Sequence, residues 1–296
     1  MSAEISKNCI LCKSDNAEIL FRSFEMHGKE VINSEKKFNI YRCSNCNAIF
    51  LGNILIDENY YKKYYTSDYY VIEAGLVSKV WSLVYRCFSK KKEKIILKNF
   101  SKREKINLLD VGCGSGVFLE SLKSKRIKKS GLEINSQGIE LCKKKGFNIY
   151  EKNIIDTDFE DEKFDAITMW HVLEHLPNPQ EIFQKIREIL SDDGVLIFQI
   201  PNSDSLGFRC GKEHWFHLDS PRHLGLYNKK SIKYLCKKTG LKVVDIRNEF
   251  YDYPLDLFWS VRKSLVKYII HPLYPFFKYF SKEHLTFICK KDGSVR

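Results

Sequence analysis

The chain has 296 residues, enough to bury a sizeable core in one large or two unequal domains. Its 44% apolar and 29% charged residues are the mixture of a folded globule, which excludes a low-complexity or disordered chain. The formal charge is +12 and unevenly placed: −1 over residues 1–60, +7 over 61–104, +5 over 105–150, −8 over 151–200, +5 over 201–250 and +4 over 251–296. Lysines on solvated helix faces explain that spread more simply than a nucleic-acid footprint, so nucleic acid is disfavoured as a partner.

Residues 1–12 show no apolar run of signal-peptide length, and no stretch of about 18 apolar residues suggests a spanning helix. Six of the ten cysteines are scattered singly and four form two close pairs. That usage fits a reducing compartment with a metal site, so a cytoplasmic protein is expected.

The pairs are Cys9-Ile-Leu-Cys12 and Cys43-Ser-Asn-Cys46, separated by 30 residues. A C-x2-C turn lets two thiolates converge on one cation, and two such turns complete a tetrahedral site suited to structural zinc. With strand-like runs at Glu18–Phe24 and Phe38–Arg42 between them, residues 1–56 resemble a zinc ribbon. The near-neutral charge of this module favours a structural or substrate-lid role over nucleic-acid binding. Residues 57–104 read as a helical linker or lid. Six tyrosines lie within 60–70, at spacings that suit either packing between modules or a polar pocket wall. An amphipathic helix is expected over 76–99, with Leu76, Val80, Leu83, Val84 and Phe88 on its apolar face.

Residues 105–296 alternate strands and helices. Ile106–Val111 is a buried-strand run leading directly into Gly112-Cys-Gly-Ser-Gly116 and a helix over Val117–Lys125. Glycines there allow a tight turn and close backbone approach to a ligand. A second strand, Ser130–Ile134, carries Glu133 where a ribose diol can be held by two hydrogen bonds. Further strands are expected at Asn148–Asn153, Asp165–Trp170, Val195–Ile200, Leu241–Glu249 and His284–Lys290, with helices at Pro179–Leu190 and Lys229–Thr239. The fold class is therefore α/β with a doubly wound sheet.

Leu-Leu-Asp-Val-Gly-Cys-Gly-Ser-Gly at 108–116 resembles motif I of class I S-adenosylmethionine-dependent methyltransferases, and 164–179 resembles their fourth-strand motif. The loop is G-x-G-x-G and not the G-x-G-x-x-G of nicotinamide domains. The resemblance implies a seven-stranded Rossmann-like sheet in the order 3-2-1-4-5-7-6. It also implies S-adenosyl-L-methionine as cofactor. Asp110, Gly112, Cys113, Gly114 and Gly116 would then surround the methionine part. Glu133 would hold the ribose and Ile134 would pack on adenine, with Asn153 and Ile154 at the adenine edge. Trp170 and His171 would sit near the sulfonium.

Methyl transfer needs an aligned nucleophile and a group that removes its proton, a task suited to histidine. His171 is one candidate. The loop Trp215–Tyr227 supplies more, combining His217, Asp219, Arg222 and His223 in seven positions. There, His223 reads as a base and Arg222 as a grip for an anionic group, or Asp219 and Arg222 simply pair. The layout is similar to small bacterial methyltransferases of surface-glycan pathways. It also resembles sugar C-methyltransferases with an N-terminal zinc module, but these carry a His-Glu-His element where this chain has Pro221-Arg222-His223. The expectation is O-methylation of a sugar or glycan acceptor. RNA methylation and a non-catalytic cofactor-binding scaffold are the alternatives. A helical insert at 251–281, broken by Pro272 and Pro275, is rich in aromatic and basic residues. It reads as a lid, a dimer surface or a peripheral membrane contact, the last suiting a lipid-linked acceptor.

Overall fold

The structure, a computed structural model, describes residues 3–5, 7–27, 30–65, 89–249 and 253–293. The expected helix residues Leu76, Val80, Leu83, Val84 and Phe88 lie outside them, as do Tyr69 and Tyr70.

The N-terminal part is built from short antiparallel strands. These are β1 (Ala3–Ile5), β2 (Ala17–His27), β3 (Glu30–Cys43), β4 (Ile49–Gly52) and β5 (Ile54–Ile56), followed by helix α1 (Glu58–Tyr64). Strands β2 and β3 form a long bulged ladder, so both extend well beyond the runs visible in the sequence. Every residue of β4 is buried. The reason is its position inside a four-stranded sheet whose far edge is a two-residue strand, β11 (Gly225–Leu226), contributed from nearly two hundred residues downstream.

The second part begins with helical residues 89–99, here α2. It continues as β6 (Ile106–Val111), α3 (Val117–Ser121), β7 (Ile127–Leu132), α4 (Ser136–Lys144), β8 (Asn148–Tyr150) and β9 (Phe164–Trp170). Then come α5 (Pro179–Ile189), β10 (Leu190–Pro201), α6 (Leu206–Gly211), β11, α7 (Lys229–Lys238) and β12 (Leu241–Glu249). Three short helices, α8 (Asp256–Ser260), α9 (Lys267–Ile270) and α10 (Tyr274–Ser281), precede β13 (His284–Lys291). The seven strands pair in the order β8-β7-β6-β9-β10-β13-β12, and β13 runs antiparallel to both neighbours. This is the 3-2-1-4-5-7-6 order expected from the glycine-loop resemblance.

Buried parallel strands must be apolar on both faces, and the side-chain period of two sorts them. Leu109 and Val111 of β6 join one core with Ile167, Phe183 and Phe198, whereas Ile106 and Leu108 join another with Ile96 and Phe118. The first core is continuous with the N-terminal sheet through Ile40, Phe50 and Trp215. Helix α3 stops at Ser121, short of Lys125, because Glu93 Oε1 accepts the amides of Lys123 and Ser124 at 2.7 Å each and holds that segment extended. Strand β10 starts at Leu190, directly after α5, so Asp192-Asp-Gly194 lies within it, where the pairing with β9 shifts register between Leu190 and Val195.

Candidate functional site

The glycine loop lies at the carboxyl end of β6. Gly112, Gly114 and Gly116 have φ of 68°, 55° and 74°, the left-handed region that favours glycine. A Cβ on Gly112 would also lie 2.7 Å from Val172. Asp110, just before the loop, accepts the Thr168 hydroxyl at 2.6 Å. Burial pushes its carboxyl up to about 7, against the opposing pull of Thr168 and the Lys92 ammonium. Glu133 stands just past β7. It accepts Gly114 N–H at 2.7 Å through Oε2, and Ile134 and Asn135 N–H at 2.8 and 2.9 Å through Oε1. An ionised carboxylate offers about four lone-pair sites, so one remains for a further donor.

The other expected cofactor residues fall around this cradle in different ways. Ile134 is 56% exposed beside Glu133, an apolar platform open to a ring. Asn153 spends its Oδ1 on the amides of Ile155 and Asp156 and its amide on Asp156 Oδ2. Ile154 is buried in the core. The Cys113 side chain turns inward, with Sγ 4.0 Å from Cys142 Sγ, so only its backbone faces the loop. Trp170, at the end of β9, lies edge-on to Phe118, and its Nε1 is buried without a hydrogen-bond partner among the described residues. The Lys92 ammonium sits 4.2 Å over its ring. S-adenosylmethionine fits this donor set: a glycine cradle, a carboxylate with capacity left, an apolar platform and an orphaned indole N–H.

Beyond β9 the chain makes a second cluster. His171 has φ 57°, in the left-handed region that few non-glycine residues adopt and that histidine enters more readily than most. Its Nδ1 lies 3.3 Å from Oε1 of the buried Glu174. Although burial opposes it, Glu174 is held down at about 2, first by the His171 contact. His175 Nδ1 lies 3.0 Å from the Arg222 carbonyl and 3.0 Å from Tyr65 Oη. His223 Nδ1 lies 2.7 Å from the His217 carbonyl. A carbonyl only accepts, so Nδ1 carries the proton in both rings and Nε2 the lone pair. Burial lowers the pKa of both histidines, His175 to about 4. The Arg222 guanidinium is tied to Asp219 and to His27 of β2. The paired reading of Arg222 is therefore the one present.

The insert closes over the same end of the sheet. Asp256 of α8 accepts His217 Nε2 at 3.1 Å, His284 Nε2 at 2.9 Å and the buried Lys278 ammonium. The rings of His171 and His217 pack against His284 at 5.1 and 4.5 Å. Beside this hub, burial pushes Glu283 up to about 7. Lys278 therefore does not belong with the basic surface of the insert. It is a core ion pair.

Sequence reasoning missed Lys92, Glu174, Asp256, Lys278 and His284. Only Glu174 carried a signal, as the residue before His175 in the fourth-strand motif. Asp256 and Lys278 look like ordinary surface charges until the insert is folded.

The four paired cysteines converge. Cys9 Sγ and Cys46 Sγ are 3.5 Å apart, and Cys12 Sγ and Cys43 Sγ 3.4 Å. All four sulfurs lie within 4.8 Å of one another. Zinc–sulfur bonds of about 2.3 Å in a tetrahedron require sulfur separations of about 3.8 Å, so a zinc ion fits with little adjustment. The knuckles repeat each other: Lys13 N–H donates to Cys9 O and Asn47 N–H to Cys43 O, and both Lys13 and Asn47 are left-handed.

A family model described as a methyltransferase domain matches residues 85–246, more than half of the chain. The chain belongs to the methyltransferase-domain family. This domain has the class I, S-adenosylmethionine-dependent methyltransferase fold. The ubiquinone biosynthesis O-methyltransferase of Actinobacillus pleuropneumoniae is 33% identical over 106 residues, 32% of this chain and 45% of that protein. The protein of the same name from Azoarcus sp. is 22% identical over 182 residues, 55% of this chain and 76% of its own. The chain thus spans less than half the length of the first relative. Among solved structures, a plantazolicin methyltransferase, BpumL, in complex with SAH is 16% identical with a TM-score of 0.50, covering 71% of this chain and 84% of its own. Coclaurine N-methyltransferase bound to N-methylheliamine and SAH is 14% identical, also with a TM-score of 0.50, and covers 69% and 70%. At such identities the likeness is one of fold.

Proposed function

We propose that this methyltransferase O-methylates a hydroxyl of a sugar or glycan precursor, using S-adenosylmethionine. The observation that carries the reading is His171, set just past the carboxyl end of β9 and oriented by the buried carboxylate of Glu174. When bound, S-adenosylmethionine supplies the activated methyl group. His171 donates Nδ1–H to Glu174, which leaves Nε2 as the basic nitrogen for the acceptor's hydroxyl proton. Glu133 and the Gly112–Gly116 loop hold the cofactor, and Trp170 bounds the sulfonium end. The naming of the relatives as O-methyltransferases supports oxygen as the acceptor atom.

Several features support the finer reading. Residues 201–250 and 251–296 carry +5 and +4, which suits an anionic acceptor. Leu265, Tyr268, Ile269, Leu273, Phe276 and Tyr279 of the insert are 55–83% exposed, with Lys267 over the Tyr268 ring. Aromatic and basic groups of this kind suit a membrane interface, hence a lipid-linked acceptor and a cytoplasmic protein peripheral to the membrane. Among the described residues no helix is long and apolar enough to cross one. Structural zinc at Cys9, Cys12, Cys43 and Cys46 completes the reading. Its units are residues 1–56, 57–104 and 105–296.

The test is transfer of tritiated methyl from S-adenosylmethionine into fractionated cell extract. Label in lipid-linked glycan or nucleotide sugar is expected, with turnover falling about 100-fold or more in His171→Ala. Label entering only RNA or protein would overturn the acceptor class, and full turnover in His171→Ala would overturn the base.

A further inference from the structure

Glu174, His175 and His223 each present a ligand atom within 4.8 Å of the other two. They come from separate stretches of chain. Glu174 and His175 follow β9, whereas His223 lies in the loop before β11. Glu174 is 1% exposed, and among the described residues its Oε2 has no hydrogen-bond partner, while Oε1 is engaged by His171. A buried, unpartnered carboxylate oxygen is costly unless a cation meets it. Both histidines are fixed as metal-ligating imidazoles usually are, with the outer Nδ1–H held by a backbone carbonyl and Nε2 left with its lone pair. One ligand atom from each of the three residues thus gathers around a buried carboxylate, and His223 Nε2 also lies 3.8 Å from Asp219 Oδ2, a second negative group beside the site.

A second group of similar composition makes the contrast. His217, Asp256 and His284 also converge, but Asp256 already accepts both Nε2–H groups and the Lys278 ammonium. The carboxylate of that cluster is satisfied and already paired with a cation. The one at Glu174 is neither.

We propose that Glu174, His175 and His223 form a binding site for a divalent first-row cation, with open positions toward the acceptor side. One carboxylate and two imidazoles suit Mn2+, Fe2+, Co2+ or Zn2+. The site is distinct from the four-cysteine centre, whose soft thiolates select zinc. It shares Glu174 with His171, which places the cation beside the group that receives the acceptor's proton. Resting on the O-methylation reading, the cation's role is to bind the acceptor oxygen and lower the pKa of its hydroxyl. His223 is then a ligand and not the base, because one Nε2 lone pair cannot serve both.

The experiment is Mn2+ titration of the full chain with zinc retained at the cysteines, followed by electron paramagnetic resonance, with no methyl acceptor present. One bound Mn2+ per chain is expected. Glu174→Gln and His223→Gln should each weaken it at least tenfold, and His284→Gln in the satisfied cluster should keep it. Circular dichroism and S-adenosylhomocysteine binding check that the variants fold. Absence of bound Mn2+ in the native chain, or binding unchanged in both Glu174→Gln and His223→Gln, overturns the site. If His284→Gln rather than these two releases Mn2+, the site is misassigned. Since only metal binding is read, bound Mn2+ without hydroxyl methylation would count against the proposed function alone.

Discussion

At the scale of single residues, burial sets charge states that the bare sequence does not reveal. Asp110 is 2% exposed, and burial raises it to about 7. An unfolded aspartate titrates near ~3.9, so between about pH 4 and pH 7 the folded state holds a proton that the unfolded state has lost. Asp110 therefore contributes its stability at low pH and loses it as pH rises through about 7, the reverse of a salt-bridged carboxylate. Three units correspond to about 4 kcal/mol. Asp110→Asn keeps an oxygen for Thr168 and removes the titration. In urea unfolding from pH 4 to pH 8, the variant should gain stability relative to the native chain up to about pH 7 and level off above it. Parallel pH profiles would contradict this account. Bound S-adenosylmethionine should shrink the difference, since its methionine ammonium would sit near the carboxylate.

At the scale of elements, what was legible in the sequence depended on whether the signal was local. The strands β6, β9 and β10 announce themselves because parallel strands buried on both faces need near-continuous apolar runs. The Gly112–Gly116 loop is equally plain, since its three positive φ angles require glycine-like freedom. The two-residue strand β11 was illegible because its pairing with β4 depends wholly on residues far away in sequence. Asp256 and Lys278 were unreadable for the same reason, since their spacing in a helical insert suits solvated charges. The histidines showed where a site lies but not which of them bonds to what, because their roles follow from backbone carbonyls that no residue pattern encodes. The insert supplies the test at this scale. Removing one partner of a buried ion pair strands the other charge and costs about 3–5 kcal/mol, whereas removing both can be near neutral. Asp256→Asn and Lys278→Met should each lower stability by roughly that order, with the double variant losing clearly less than the sum. Chemical denaturation of the three variants measures the coupling, and strict additivity would show that the pair does not hold the insert down.

At the scale of the whole molecule, the N-terminal sheet shapes the loop 215–227, which the proposed function turns toward the acceptor. Met26 N–H donates to Ser220 O at 2.9 Å, and Leu51 N–H donates to Leu224 O at 2.9 Å. The Tyr60 hydroxyl donates to Pro221 O at 3.1 Å, and His27 of β2 reaches Asp219 at 3.1 Å. The loop thus takes its shape from β2, β4 and α1, whereas the glycine loop and Glu133 are held by β6, β7 and α4 without them. The cysteine knuckles bracket β2 and β3, so a zinc ion there would fix the Ala17–Cys43 end of the β2–β3 ladder, in the sheet that shapes this loop. A division of labour follows. Loss of the metal should disturb acceptor positioning before it disturbs cofactor binding. In Cys43→Ser, or after zinc removal by a strong chelator, methyl transfer should fall at least tenfold and the first thermal transition should drop. S-adenosylhomocysteine affinity, read by calorimetry, should stay within about threefold. Equal losses in both readouts would mean that the two parts fold as one cooperative unit, a live outcome because a single apolar core runs from Phe50 through Trp215 to Phe198.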